Sequence, residues 1–437
     1  MARIDVSVGR CKPHERLGSP TFDRRALDDV PTIRCLHTLE EHKNSINSVV
    51  LAEDADSHLA LSSSYDHDLK VWNLANRRCL HTFKGHTAYI RAIAFTPDGR
   101  LALSGSDDGM LKVWDLANGR CRHTLSGHTG SISSLATMGH QALSASSDKT
   151  VKVWDLASGR CVRTLCGHTE YISSVVTIDD RLALSSSWDK TVKVWDLANG
   201  RCRRTLSGHT KRFNLVMLVD EGRWALSSSH DGTLKVWDLA DGRCLRTLKA
   251  YDDYIKSVAV RGHLALSSSY NNTVKVWGLT TGKCLHILNM QNSLVNAVAI
   301  SPNGRWALSG SHDETVKVWD LTTGRCLRTL KEHTSLVGSV AFYADGSRGL
   351  SGSSDHTVKV WALPNERITV RSWQLASLWS VGSWASKLIA QSALLRASSE
   401  NVKTKHFVPA LTLLQQARKE GVVHKTEKFL IFRLTNF

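Results

Sequence analysis

From about residue 33 onward, short runs of alternating apolar and polar residues recur, separated by turn-forming residues. One stretch reads Tyr89-Ile90-Arg91-Ala92-Ile93-Ala94-Phe95, then Leu101-Ala102-Leu103-Ser104, then Leu111-Lys112-Val113-Trp114, then Cys121-Arg122-His123-Thr124-Leu125. A period of two puts successive side chains on opposite faces of a strand, so each run predicts a half-buried β-strand. Pro97-Asp98-Gly99, Asp108-Gly109 and Asn118-Gly119 supply turn chemistry between them, which predicts an antiparallel meander.

This order of four strands repeats. The Trp of each Val-Trp pair falls at Trp72, Trp114, Trp154, Trp195, Trp237, Trp277, Trp319 and Trp361, with spacings of 40 to 42 residues. A fixed period means one supersecondary unit repeated. A lone four-stranded sheet cannot bury both its faces, whereas sheets stacked radially bury each other.

The Gly-His pairs (Gly85-His86, Gly127-His128, Gly167-His168, Gly208-His209) and Trp-Asp pairs (Trp114-Asp115, Trp154-Asp155, Trp195-Asp196, Trp237-Asp238, Trp319-Asp320) resemble the signatures of the WD-repeat β-propellers. The near-uniformity of the units is similar to prokaryotic members, in which such propellers often act as sensors attached to a signalling ATPase or kinase. The resemblance implies an all-β, eight-bladed β-propeller over residues 32–363, with seven blades plus an extra unit as the alternative. Seven units carry an outer strand beginning near Cys79, Cys121, Cys161, Cys202, Cys244, Cys284 or Cys326; the eighth has none. The segment Arg34-Cys35-Leu36-His37-Thr38-Leu39 matches the missing strand and is expected to complete the last blade. Arg367-Ile368-Thr369-Val370 also lies at the right distance from Trp361 and competes for that place.

The resemblance further implies a buried hydrogen-bonded set in each blade. The sets are His42, Ser62, Asp66, Trp72; His86, Ser104, Asp108, Trp114; His128, Ser144, Asp148, Trp154; His168, Ser185, Asp189, Trp195; His209, Ser227, Asp231, Trp237; and His333, Ser351, Asp355, Trp361. The sixth unit has Tyr251 and Asn271, and the seventh Gln291, at these places, so that sector is expected to be less rigid.

Twenty His and ten Cys raise a metal site, and Cys-x6-His recurs in six copies. Seven residues of strand and turn separate such a pair by up to ~20 Å, too far for shared ligation of zinc. No metal site, disulfide or cofactor is expected. Each His-Ser-Asp set has the residue types of a hydrolase triad, but six copies, each with a Trp and buried between blades, fit structure and not catalysis. Gly278-Leu279-Thr280-Thr281-Gly282-Lys283-Cys284 is one residue short of a phosphate loop and lacks its Ser or Thr.

Comparing the units with one another, the scaffold barely changes while three positions vary: the one before the turn Asp, and those three and five residues after the His. In the resembled family these line the top face around a central channel, where partners dock. The first position holds Tyr65, Trp188, His230, Tyr270 and His312; the second Tyr89, Tyr171, Arg212 and Tyr254; the third Arg91 and Lys256. Tyr, Trp and Arg are the residue types most often found anchoring interfaces, so these eleven residues are the expected partner-binding surface.

The excess of 56 Lys+Arg over 40 Asp+Glu gives a net charge of +16. Basic residues two before and six after the repeat Trp disperse part of it around the ring, and outer-strand Arg163, Arg204, Arg246 and Arg328 are expected to blunt edge pairing. Dispersed charge does not support a sequence-reading nucleic-acid domain. Residues 1–31 read as a flexible tail. Residues 364–437 carry 11 Lys+Arg and 4 Asp+Glu, a net +7, and read as a basic extension with helices at about Ser372–Ala397 and Pro409–Gly421. No run approaches the ~20 apolar residues of a membrane span, and no hydrophobic signal core opens the chain, so a cytoplasmic location is expected. The expected function is a non-catalytic protein-interaction scaffold, with a signalling role, docking a protein or peptide. The alternative is a polyanion or membrane-surface adaptor working through the C-terminal segment by nonspecific contact.

Overall fold

The computed structural model describes residues 33–52, 58–220, 222–290 and 293–364. They belong to one compact unit, Pro31–Pro364; the second unit, Met1–Val30 with Asn365–Phe437, falls outside them. The N-terminal tail, both C-terminal helices, Gln291 and the segment Arg367–Val370 therefore lie outside the described residues.

Among the described residues there are eight four-stranded antiparallel sheets, and this settles the blade number at eight against the seven-bladed alternative. Blades 1 to 7 span 46–83, 90–125, 132–166, 172–207, 213–249, 255–289 and 295–330. Blade 8 combines Val337–Phe342, Arg348–Ser353 and Val358–Ala362 with the N-terminal strand Arg34–Leu39. Arg34 lies opposite Ala362 and Leu39 opposite Val358, so the edge for which Arg367–Val370 competed is already paired.

The first strands of successive blades touch one another around the centre, and those of blades 8 and 1 touch as well, which closes the ring. The Val49 N–H donates to Ser339 Oγ at 3.1 Å across that closure. Each blade sends one face toward the next, so the core is divided into eight inter-blade layers. Leu61, Leu69, Val71 and Phe83 of blade 1, for example, pack on Ile90, Ile93, Ala102 and Trp114 of blade 2. The repeat Trp side chains are almost wholly enclosed in these layers, Trp361 at 0% exposure. Burying a large apolar side chain contributes roughly 1.5–3 kcal/mol, so the repeated Trp explains much of why each unit docks on its neighbour.

A regular irregularity shapes the blades. In the first strand of blade 2 the register skips Arg91, with Ile90 opposite Ser106 and Ala92 opposite Gly105. Every blade has this β-bulge, and the skipped residues are Asn47, Arg91, Ser133, Ser173, Asn214, Lys256, Asn296 and Gly338. A bulge frees a residue from the ladder and re-aims its side chain. The third variable position of the sequence is therefore the bulge residue of the innermost strand.

The edge arginines have a second role. Arg204 Nη2 donates to Ala240 O at 2.6 Å and its Nη1 to Asp241 O at 2.9 Å, and Arg246 Nη2 reaches Thr280 O. In blades 1 and 2, His81 and His123 stand at the same place and bond Leu116 O at 3.0 Å and Ala157 O at 3.2 Å. These outer-strand side chains clasp adjacent blades as well as covering an edge.

Candidate functional site

The top-face geometry is set in six of the eight blades by a His, a Ser, an Asp and a Trp. In blade 2, Trp114 Nε1–H donates to Ser104 Oγ at 2.8 Å, Ser104 Oγ lies 2.8 Å from His86 Nε2, and His86 Nδ1 lies 2.8 Å from Asp108 Oδ2. With the indole donating to the serine, the hydroxyl gives its proton to Nε2, and Nδ1–H donates to the carboxylate. The same chain of contacts joins His42, Ser62, Asp66 and Trp72; His128, Ser144, Asp148 and Trp154; His168, Ser185, Asp189 and Trp195; His209, Ser227, Asp231 and Trp237; and His333, Ser351, Asp355 and Trp361.

Burial alone would raise the Asp189 carboxyl, but the bonds from His168 and Thr191 outweigh it and bring it down to about 2. Burial pushes the His86 and His128 imidazoles below their ordinary value despite the neighbouring carboxylates. The His86–Asp108 and His128–Asp148 pairs thus stand as neutral imidazole and carboxylate at neutral pH. All six serines are 0% exposed, sealed by an indole on one side and an imidazole on the other, so none of them can meet a substrate.

Blade 6 completes its set differently. Tyr251 Oη donates to Ser267 O at 2.5 Å, lies 3.3 Å from Ser267 Oγ and accepts the Lys275 N–H at 3.1 Å. Lys275 Nζ stands 4.8 Å from the Tyr251 ring centroid and donates to Ala250 O. In the other blades that lysine meets an outer-strand threonine, as Lys112 meets Thr124 at 3.0 Å; in blade 6 Ile287 takes the threonine's place. One phenol here does the work of the imidazole, and Ser267 Oγ keeps a hydroxyl and an indole partner. In blade 7, Ser309 Oγ points to Met290 Sδ at 3.5 Å while accepting Trp319 Nε1–H at 2.9 Å.

The turn held by each Asp carries the first variable position. Its N–H donates to the carbonyl of the second variable position, as from Asp107 to Tyr89 O at 2.9 Å, Trp188 to Tyr171 O at 2.8 Å and His230 to Arg212 O at 3.0 Å. Variable residues far apart in sequence are thereby neighbours on the top face.

They gather into two groups. On blades 1 and 2, Tyr65 and Tyr89 have ring centroids 4.7 Å apart, and Arg91 grips Asp107 through Nε and Nη2 at 2.8–3.0 Å. On blades 4 to 6 the contacts form a continuous run. Tyr171 lies 4.7 Å from Trp188, Arg212 Cζ sits 4.2 Å above the Trp188 ring, and Arg212 Nε–H donates to His230 Nδ1 at 3.3 Å. His230 stacks on Tyr254 at 4.6 Å, Tyr254 meets Tyr270 at 4.1 Å, and Lys256 Nζ lies 5.9 Å from the Tyr270 ring. Burial, with Arg212 and Lys211 nearby, holds His230 below the ordinary imidazole value, which keeps Nδ1 an acceptor for Arg212. Trp188 is 40% exposed. His312 is exposed and joins neither group.

Some of the bulge residues prove to be fasteners. Asn47 donates to Ile90 O at 2.9 Å, Asn214 to Ile255 O at 3.0 Å and Asn296 to Val337 O at 3.1 Å, each linking its blade to the next. The structure also adds residues that the sequence comparison passed over. The residue after the turn Asp, or after Asn271 in blade 6, has positive φ in every blade: Gly109 and Gly232, but His67, Lys149, Lys190, Asn272, Glu314 and His356 elsewhere. His67 packs on Tyr89 at 5.4 Å, and Lys190 joins Lys211 and Asp253 in lining a cavity beside Trp188. Gly109 and Gly232 at the aligned place were the available signal, since glycine marks a left-handed turn.

A radial stack of eight four-stranded sheets, six of them locked by such a set, defines a β-propeller whose variable chemistry lies on one rim of the ring. The family model for the WD domain, G-beta repeat, matches eight times, at residues 33–73, 77–115, 119–155, 159–196, 200–238, 242–278, 282–320 and 324–362, and the chain belongs to that family. Among curated proteins it is similar to nuclear distribution protein PAC1 of Arthroderma otae, 32% identical over 106 residues, which is 22% of this chain and 23% of that protein. Small ribosomal subunit protein RACK1 of Drosophila melanogaster is 30% identical over 67 residues, 15% of this chain and 21% of that one. Coatomer subunit beta'-2 of Arabidopsis thaliana is 33% identical over 61 residues, 14% of this chain and 7% of that one. The chain thus spans less than a quarter of the length of these relatives. Among solved structures, the computationally designed Ika8 protein superposes with a TM-score of 0.68 at 31% identity, covering 76% of this chain and 100% of that one. Among the described residues no helix is long and apolar enough to cross a membrane.

Proposed function

We propose that this protein is a non-catalytic scaffold that docks a protein or peptide partner on the top face of blades 4 to 6. The observation that carries the reading is the unbroken run of ring and guanidinium contacts from Tyr171 through Trp188, Arg212, His230 and Tyr254 to Tyr270. A half-exposed Trp stiffened by a stacked Arg presents large contact area with little rotamer freedom left to lose, which is the character of an interface anchor. By their names, two relatives are components of assemblies, a coatomer subunit and a small ribosomal subunit protein, and a scaffold role accords with that. The cysteines described are free thiols, several of them exposed, and a reducing cytoplasmic setting suits them.

The test is affinity purification of the full chain with mass spectrometry, beside a variant carrying Tyr171→Ala and Trp188→Ala. The partner set is expected to be lost while the thermal melt stays put; the same partners at the same abundance would overturn the reading. A second reading, adhesion to polyanions or membrane surfaces, draws on the +7 of residues 364–437. It requires salt-sensitive heparin retention that disappears when Arg418, Lys419, Lys425 and Lys428 are changed to Gln.

A further inference from the structure

The cationic side chains of the top face are not equivalent. Arg91 is held bidentately by Asp107, so its charge is already answered. Lys190, Lys211, Arg212 and Lys256 have no carboxylate within ion-pair distance among the described residues. Arg212 is pre-set for an anion. Its face rests on Trp188, its Nε is committed to His230, and its two Nη groups have no partner among the described residues. That edge, with Lys190 and Lys211, lines a cavity of about 430 Å³ walled by Trp188 and Tyr254 and bordered by Asp253.

We propose that this cavity receives an acidic peptide segment of a partner protein. An Asp or Glu carboxylate bonds the two Nη groups of Arg212 in parallel, and Lys190 and Lys211 flank it. The inference rests on the docking reading above and gives it a ligand chemistry. Fork-to-fork pairing of guanidinium and carboxylate gives charge-assisted bonds in a fixed plane, and a guanidinium immobilised on an indole has less freedom to lose on binding. Asp253 argues for a peptide over a phosphate or a polyanion. A carboxylate at the rim repels a dianion, whereas it can accept a main-chain N–H from a peptide whose own charge is a single carboxylate. Tyr171, Trp188 and Tyr254 offer ring surface beside the anionic subsite, so the segment should pair its acidic residue with an apolar one.

The experiment pans a phage-displayed library of random 12-residue peptides over the immobilised full chain and over a Lys190→Gln, Arg212→Gln variant. Both changes lie at exposed side chains, and a matching thermal melt checks that the variant is folded. Wild-type protein is expected to enrich sequences with Asp or Glu next to an apolar residue, and the variant to lose that enrichment. By fluorescence anisotropy, the best peptide should bind at least about ten-fold more weakly when its acidic residue becomes Gln or when Arg212 does. Neutral or basic winners, no enrichment, or equal affinity of the Glu and Gln peptides would overturn the proposal. Heparin binding lost in the variant, without acidic-peptide selection, would overturn it in favour of a polyanion. The two readings fail separately. If cellular partners are lost in Tyr171→Ala, Trp188→Ala but retained in Lys190→Gln, Arg212→Gln, docking stands and the acidic ligand falls; if neither variant loses them, docking itself falls.

Discussion

Replacing Ser185 of blade 4 by Ala removes one buried hydroxyl and leaves two groups without partners. Trp195 Nε1–H loses its acceptor at 2.7 Å, and His168 Nε2 loses its donor at 2.7 Å. An unsatisfied buried polar group costs about 1–3 kcal/mol, so the pair costs about 2–6 kcal/mol. Ser267→Ala in blade 6 is the matched control. There Trp277 Nε1–H loses its acceptor at 2.9 Å, but Tyr251 Oη keeps the carbonyl of residue 267 and the Lys275 N–H. One orphan in place of two halves the expected cost to about 1–3 kcal/mol. Urea denaturation of the full chain, followed by Trp fluorescence and compared at equal slopes, measures both. The reasoning is refuted if the two substitutions cost the same, or if Ser185→Ala costs less than about 0.5 kcal/mol, the scatter of an ordinary surface change.

Four further outcomes follow from the same geometry. Because burial lowers His86 and His128 in the folded chain, the unfolded chain binds more protons below about pH 6.5, and stability should fall as pH drops through that value. Asp189, held down at about 2, adds a second loss from the unfolded value of about 3.9 toward 2; a urea midpoint flat between pH 7 and 3 contradicts both. Deleting residues 1–39 strips the outer strand from blade 8 and uncovers Val358 and Val360, each 0% exposed, so a lower melt or self-association through the open edge is expected by calorimetry and sedimentation. Tyr251→His alone should destabilise, whereas Tyr251→His with Asn271→Asp and Ile287→Thr should return to within about 0.5 kcal/mol of wild type, a non-additivity that a denaturation cycle reads. Lys190→Gly should stabilise by about 1 kcal/mol, because φ of 67° favours glycine, and a lowered melt would contradict this.

The blade count was legible because it depends on residues that repeat with the period. Eight Val-Trp pairs fixed the units, and the missing outer-strand Cys after Trp361 pointed to Arg34–Leu39, which does pair with Val358–Ala362. The pairings between blades were not legible, since they depend on how neighbouring sheets are rotated and on what two variable positions happen to hold. Arg91 looked like an anchor equal to Arg212, but Asp107, at the first variable position of the same blade, closes on it. Asn47, Asn214 and Asn296 looked like free variation and are inter-blade bonds. Tyr251 looked like a defect, because only its reach to Ser267 and Lys275 reveals that a phenol can bridge what an imidazole bridges elsewhere.

The net charge yields to the same distinction between committed and uncommitted groups. Lys152, Lys193 and Lys235 donate to Thr164, Thr205 and Thr247 at 2.7–3.0 Å, Arg204 and Arg246 reach carbonyls of the next blade, and Arg203 closes on Asp196 at 2.6 Å. Charges engaged in this way are stationed at fixed places around the ring and are only weakly available to a ligand. What distinguishes one sector of a ring of near-identical blades is then the few cations that the scaffold does not use. On the top face of blades 4 to 6 these are Lys190, Lys211, Arg212 and Lys256, beside Trp188, the one exposed Trp among the described residues. A propeller built from one repeated unit gains a site by releasing a handful of positions from scaffold duty, and the chemistry of those positions, more than the +16 of the whole chain, sets what it can bind.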